Sequence, residues 1–301
     1  MKLGWDDIKT VHALVRGGSL AAAATELGVN YTTVARRIQR AEDTLGLKLF
    51  ERLADGYAPT DTARLVAEHA AKMEAEEHSL MRQLAGRDGR LSGKLTVTAP
   101  QLLIAHLLAP VLETFVEQHP EVDLRVPATN DILDLSRREA DLAVRISREP
   151  GDTLKGLRLV RQHTASFATQ GWADRIAADP SAPIDWILYD AYPRLPDIVT
   201  ARYPSSRVRY RFDDMVAILG AAQSGLGLAR LPMFLGRVTP GLVQVPVLPP
   251  QPYADIWVVG HADVWPSAKV RAFRDCLVPH LRARRDLFVG EGDLSTTPQV
   301  G

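Results

Sequence analysis

The chain has 301 residues, 46% of them hydrophobic, and its 36 Lys and Arg are balanced by 36 Asp and Glu. This composition excludes a wholly disordered chain, and zero net charge means that any affinity for nucleic acid must come from a local patch. One cysteine, Cys276, excludes an internal disulfide framework and a multi-thiolate zinc site; the acidic start through Asp6-Asp7 does not read as a signal peptide, and no run of 18 apolar residues offers a membrane span. The expectation is a soluble, cytoplasmic protein of two or three domains with no membrane partner.

A first helix is predicted from Trp5 to Arg16, with Trp5, Ile8, Val11, His12 and Val15 on one face at spacings of three and four. Gly17-Gly18 stops it. Ser19 is placed to cap a second helix whose apolar face is Leu20, Ala23, Ala24 and Leu27. Gly28 suits the left-handed position after that helix. Asn30 is placed to cap a third, from Tyr31 to Leu45, burying Val34, Ile38, Ala41 and Leu45. Two short helices joined by a glycine turn are the helix-turn-helix layout, in which the later helix enters the major groove. The exposed side chains there are Tyr31, Thr32, Thr33, Ala35, Arg36, Arg37 and Arg40. Arg binds guanine O6 and N7 bidentately or a phosphate oxygen, and Thr offers a hydroxyl and a methyl. Five bases (Arg36, Arg37, Arg40, Lys48, Arg52) face three acids (Glu42, Asp43, Glu51) in this stretch of a neutral chain. Asp55-Gly56 between two short runs signals a hairpin, and a hairpin after a recognition helix reads as a wing, with Arg52 at its base placed for a phosphate. These features are equally those of a plain three-helix packing unit.

From Asp61 to about Arg87 nothing breaks a long helix that Thr60 can cap. Val66, Ala70, Met73, Glu77, Leu80 and Leu84 follow one another at 4, 3, 4, 3 and 4, close to a heptad seam. The stripe would pack either on the rest of its own chain or on the same helix of a second copy.

From Leu91 onward, Val-, Leu- and Ile-rich runs alternate with helical patterns, the signature of an α/β domain. Strands are predicted at 95–99, 122–126 and 140–146, with helices at 101–118 and 132–138. A strand from Leu157 to Phe167 would carry the chain to a second lobe. Further strands are predicted at 186–189, 208–212, 227–231, 243–245 and 256–259, and helices at 215–224 and 267–284. Two such lobes joined by two crossings enclose a cleft of the kind that holds small ligands at the C-terminal ends of strands. The tail from Gly290 has little to bury. The eight histidines show no metal-ligand spacing, no complete dinucleotide fingerprint or nucleophile elbow is present, and no cofactor is expected. Asp213-Asp214 reads as a helix cap, and Cys276 as core.

Three stretches carry a resemblance. They are Gly18-Ser19-Leu20-Ala21-Ala22-Ala23-Ala24-Thr25-Glu26-Leu27-Gly28-Val29, Thr33-Val34-Ala35-Arg36-Arg37-Ile38, and Glu42-Asp43-Thr44-Leu45-Gly46-Leu47-Lys48-Leu49-Phe50-Glu51-Arg52. Together they resemble the winged helix of LysR-type transcriptional regulators, over residues 5–64. Asp141-Leu142-Ala143-Val144-Arg145 and Gln223-Ser224-Gly225-Leu226-Gly227-Leu228-Ala229 are similar to that family's effector domain, which looks like a periplasmic binding protein. Ser, Gln and Pro are usual in the family where this chain has Asn30, Tyr31 and Thr32.

The resemblance implies a winged helix-turn-helix DNA-binding domain (1–60), a linker and dimerisation helix (61–89) and an effector-binding domain (90–301). The last would have lobe I at about 91–162 and 266–288, and lobe II at about 163–265. It implies a transcription regulator and no enzyme, a double-stranded DNA operator, an unidentified small-molecule effector, and a homodimer or dimer of dimers. DNA-binding residues would be Asn30, Tyr31, Thr32, Thr33, Arg36, Arg37, Arg40 and Arg52. Dimerisation would use Val66, Ala70, Met73, Leu80 and Leu84. Effector candidates are Pro100, Gln101, Leu102, Asn130, Arg145, Phe167 and Arg230. The alternative is a cytoplasmic small-molecule-binding or enzymatic domain whose helical module serves only assembly.

Overall fold

The computed structural model describes residues 3–53, 56–86, 89–129, 140–149 and 154–290. The chain divides into two units, Met1–Leu84 and Ala85–Gly301.

In the first unit, α1 (Trp5–Gly17) ends on Gly18 in the left-handed conformation, φ 65°. α2 (Leu20–Leu27) is capped by Ser19, whose Oγ accepts the Ala22 N–H at 3.2 Å, and Gly28 closes it at φ 63°. α3 runs Tyr31–Leu45. β1 (Phe50–Leu53) and β2 (Gly56–Pro59) pair antiparallel, with Leu53 opposite Gly56, and form the wing. α4 (Asp61–Gly86) follows, capped by Thr60, whose Oγ1 accepts the Ala63 N–H at 3.3 Å. One core joins these elements through Val11, Leu14, Ala23, Val34, Ile38, Ala41, Leu49, Phe50 and Ala63.

The helices lie where the sequence pattern puts them, but two local expectations change. The buried face of α1 is Asp7, Thr10, Val11, Ala13 and Leu14; Trp5, Ile8, His12 and Val15 are only half-buried, Val11 alone being shared. The stripe is displaced because α1 packs against both α2 and α3, so two partners divide its surface. Asn30 holds the position before α3, with extended backbone, yet its side chain makes no capping bond.

Among the described residues, the second unit contains two sheets. β3 (Gly93–Thr98) leads into α5 (Gln101–Leu103), which passes through a π-helical turn (Ile104–Leu108) into α6 (Ala109–Gln118). The predicted helix at 101–118 is thus continuous but carries one wide turn directly before Pro110, whose ring nitrogen has no hydrogen to donate to the ladder. β4 is Val122–Arg125 and β5 is Leu142–Ser147. β6 (Leu154–Val160) and β7 (His163–Thr169) replace the single strand expected at 157–167. They belong to different sheets, and the chain changes sheet at Arg161-Gln162.

Lobe II continues with α7 (Gln170–Ala178), β8 (Ile184–Tyr189), α8 (Asp197–Arg202), β9 (Ser206–Phe212), α9 (Met215–Gln223), β10 (Leu228–Pro232), α10 (Met233–Val238), β11 (Leu242–Gln244) and β12 (Gln251–Pro252). Asp214 caps α9, accepting the Ala217 N–H at 3.0 Å. β13 (Asp255–His261) and α11 (Ala268–Arg282) complete the described elements with a short 3-10 turn at Arg285–Leu287.

Lobe I has strand order β4-β3-β5-β13-β6, and lobe II has β11-β7-β10-β8-β9 with β12 beside β7. Because β13 lies between β5 and β6, the return to lobe I comes near Tyr253, not near residue 266 as the lobe boundary drawn from sequence has it. α11 packs on α6 through Phe273 and Phe115, whose ring centroids are 5.2 Å apart. Cys276 is half-buried, its Sγ 3.5 Å from Gln118 Oε1. The predicted helix at 132–138 and Asn130 lie outside the described residues.

Candidate DNA-reading surface and effector cleft

The outer face of α3 begins with Tyr31, 64% exposed, and continues with exposed Thr32, Ala35, Arg36 and Arg40, while Thr33 and Arg37 are half-buried. The three arginines are not equivalent. Arg37 Nη2 donates to Asp6 Oδ2 at 2.8 Å. Arg40 grips Asp7 with two bonds, Nε to Oδ2 at 2.9 Å and Nη2 to Oδ1. Asp7 is buried, so this pair binds α3 to α1 and holds the Arg40 guanidinium above its ordinary range through the hydrogen bond and the adjacent charge. Arg36 and Arg52 have no side-chain partner among the described residues. Asp6 and Asp7 therefore occupy two of the three basic groups on this helix, and the Arg36 donor fork has no side-chain partner among the described residues.

The wing is fixed to this surface by backbone. Tyr57 N–H donates to the Gly18 carbonyl at 3.0 Å, and a Cβ on Gly56 would come within 2.7 Å of that same oxygen. Only glycine permits the approach. A second device was not read from the sequence. The Glu42 carboxylate, buried at the end of α3, accepts Leu49 N–H at 2.8 Å, Phe50 N–H at 3.4 Å and Lys48 Nζ at 2.6 Å. Burial pushes its pKa up, but Lys48 and the two amides outweigh burial and hold it below the usual carboxylate range. Its position four residues after buried Ile38 was the available signal.

On α4, the six seam positions separate into two faces. Ala70 is buried, and Glu77 turns to α1, accepting Trp5 Nε1–H at 3.2 Å and Lys9 Nζ at 2.6 Å. Ala63 and Ala67 are buried on the same side. Met73, Leu80 and Leu84 remain 44%, 57% and 54% exposed, beside half-buried Val66. The part of the stripe facing α1 uses small and charged residues, and the outward part keeps the large apolar ones.

In lobe I, three strand ends meet. Ala99 bridges Ala128, Thr129 N–H donates to Ala99 O at 3.1 Å, and Arg145 Nη1 donates to Thr129 O at 3.4 Å. Pro100, half-buried, occupies the position before α5, Gln101 is exposed, and Leu102 packs on the core. The structure thus brings Pro100 and Arg145 to one sheet edge. Phe167 is a correction: it is 1% exposed, with Gly236 pressed on its ring so closely that a Cβ would overlap it. It is a core side chain of lobe II. Arg230 lies in lobe II, its Nε donating to Thr164 Oγ1 at 2.8 Å and its guanidinium 5.4 Å from the Tyr192 ring centre.

A winged helix-turn-helix on one unit, and two α/β lobes exchanging the chain twice on the other, define a ligand-responsive DNA-binding regulator. The comparisons with known proteins agree. Residues 5–64 match the model for bacterial regulatory helix-turn-helix proteins of the lysR family, and residues 88–282 match the LysR substrate binding domain. The chain belongs to the LysR family of transcriptional regulators. It is 31% identical to the transcriptional activator AmpR of Rhodobacter capsulatus over 248 residues, covering 79% of this chain and 84% of that protein. It is 29% identical to the Mau operon transcriptional activator of Paracoccus denitrificans over 239 residues, 77% of this chain and 81% of the relative. Among solved structures, the LysR-type regulator CrgA from Neisseria meningitidis matches with a TM-score of 0.54 at 19% identity, covering 93% of this chain and 99% of that one. Among the described residues, no helix is long and apolar enough to cross a membrane.

Proposed function

We propose that this regulator works in the cytoplasm, without enzymatic turnover, and reads an operator chiefly through Arg36. Tyr31, Thr32 and Thr33 flank that side chain on α3, and Arg52 reaches a phosphate from the base of the wing. Arg37 and Arg40 act mainly by fixing the angle between α3 and α1, because Asp6 and Asp7 already neutralise them. The observation that carries this assignment is the unpartnered Arg36 fork beside two arginines in ion pairs. Two chains pair through the outward stripe of α4, Met73, Leu80 and Leu84, and present two recognition helices to half-sites about 34 Å apart. An effector held between the lobes, against Pro100 and Arg145, shifts an equilibrium between lobe closures by its differential affinity for the two.

Footprinting on the DNA upstream of the protein's own gene tests the reading, at two salt concentrations. Wild type is expected to protect a near-palindromic stretch. Arg36→Ala weakens it by about 1–3 kcal/mol with relaxed preference at one base position. Arg37→Ala loses less, and its salt slope changes little because Arg37 is already paired. Equal losses from both variants on every DNA would refute base reading by Arg36.

A further inference from the structure

Lobe II contains a cavity of about 290 Å³ whose walls all come from that lobe: Trp186, Leu188, Tyr192, Leu195, Pro196 and Arg230, together with the charged pair Arg194 and Asp197. Trp186 and Leu188 stand on the face of β8 that also carries Leu228 of β10. The segment from Tyr192 to Pro196 covers them. That segment is held open by β9, where Arg211 donates to the carbonyls of Tyr192 and Pro193, both at 2.9 Å. Tyr192 is in turn set by a T-shaped contact with Tyr189, centroids 6.1 Å apart, and lies close to Tyr253.

Arg230 stands out within this setting. Its Nε is satisfied by the neutral hydroxyl of Thr164, no carboxylate pairs with it among the described residues, and neither of its terminal nitrogens is sealed from solvent. A half-buried guanidinium is normally neutralised by an acid. Here Asp197, the acid in the cavity wall, is taken by Arg194 at 3.3 Å. The Tyr192 ring, 5.4 Å from the guanidinium, supplies only its quadrupole. The pair of free terminal nitrogens has the geometry for a planar two-oxygen anion, and the other walls are apolar or aromatic apart from the mutually paired Arg194 and Asp197.

We infer that lobe II binds a small organic carboxylate with an apolar body, its two oxygens on Arg230 and its body between Trp186, Tyr192 and Leu195. At roughly 30 Å³ per water-sized atom the cavity holds about ten non-hydrogen atoms, the size of a single-ring acid. Tyr253, which touches Tyr192, lies at the return crossing to lobe I, its N–H on the Gln162 carbonyl at 2.8 Å. Occupancy therefore acts next to the hinge. The inference rests on the reading of this unit as a ligand sensor.

The test uses the full-length protein with benzoate and its neutral counterpart benzamide, followed by titration calorimetry and by the indole signals of ¹⁵N-tryptophan-labelled protein, with Trp186→Phe assigning one signal. Benzoate is expected to saturate in the millimolar range and shift the Trp186 signal, and benzamide to bind about tenfold more weakly or worse. Arg230→Gln is expected to lose about tenfold for benzoate with an unchanged melting curve. The wild-type comparison of the two probes stands even if that variant fails to fold. Equal binding of both probes, no saturable binding, or a shift confined to other indoles would overturn the assignment. Operator footprinting with the same preparations keeps the claims apart: absence of any footprint counts against the regulator reading, and failure of benzoate counts against the pocket alone.

Discussion

Replacing Glu42 with alanine removes the one group that satisfies the amides at the entry to the wing. The magnitude follows from the three bonds. The Leu49 N–H at 2.8 Å is buried and would be left without an acceptor, a loss of about 1–3 kcal/mol. The Phe50 bond, at 3.4 Å, is long and adds a fraction of that. Lys48 is 74% exposed at its side chain, so water and salt screen its ion pair and it adds little. The two amides together make about 1–4 kcal/mol. At about 4–8 °C per kcal/mol for a unit of this size, the melting temperature of the winged helix falls by roughly 4–30 °C. Scanning calorimetry of the full chain, with amide exchange at Leu49 and Phe50, measures it. Lys48→Ala should shift the transition only slightly, and salt should barely change the Glu42 effect. The pH dependence has a definite sign. The folded carboxylate titrates below its ordinary 4.5, so its contribution is complete above that value and disappears as pH falls through the folded value. The wild type should converge on Glu42→Ala in acid. A Lys48→Ala loss as large as that of Glu42→Ala would refute the assignment to the amides.

Other expectations follow from geometry already described. Arg40→Ala leaves the buried Asp7 carboxylate without its partner and should lower the melting point of the winged helix; its restoration by an added Asp7→Asn would identify the stranded charge as the cause. Gly236→Ala drives a methyl into the Phe167 ring and should lower lobe II stability by about 1–3 kcal/mol without changing operator affinity, which denaturation and footprinting check together. Leu80→Asp with Leu84→Asp puts charge on the outward stripe of α4 and should shift sedimentation toward the monomer; an unchanged oligomer would place the dimer contact elsewhere.

Local signals were legible in the sequence and long-range ones were not. Glycines at 18 and 28, Ser19, Thr60 and Asp214 mark helix ends because each acts within one turn of itself. The buried face of α1 differs from its apolar stripe because α2 and α3 both pack on it, which no single-helix periodicity encodes. Residues 157–167 read as one strand because nothing in Val160-Arg161-Gln162-His163 breaks an extended chain; only the pairing partners show that two sheets share it. β13 was placed in the wrong lobe for the same reason. Phe167 has the composition of a ligand wall, and its burial under Gly236 depends on a contact 69 positions away. The Asp6–Arg37 and Asp7–Arg40 pairs needed the packing of α1 on α3 before their charges could be matched.

The two crossings between the lobes are bound side by side. Gln162, buried, gives its backbone N–H to Asp255 Oδ1 at 3.3 Å and its amide to the Ala254 carbonyl at 2.8 Å, and it accepts from Tyr253 N–H. Two straps laced together flex like a leaf spring. They bend readily across their width and resist twist and sideways slip. Of the ways two lobes could move, such a mount leaves one soft: a change in the angle of the gap. A molecule gripping that gap would be read out as a single angle, with little of its binding energy dispersed into other displacements.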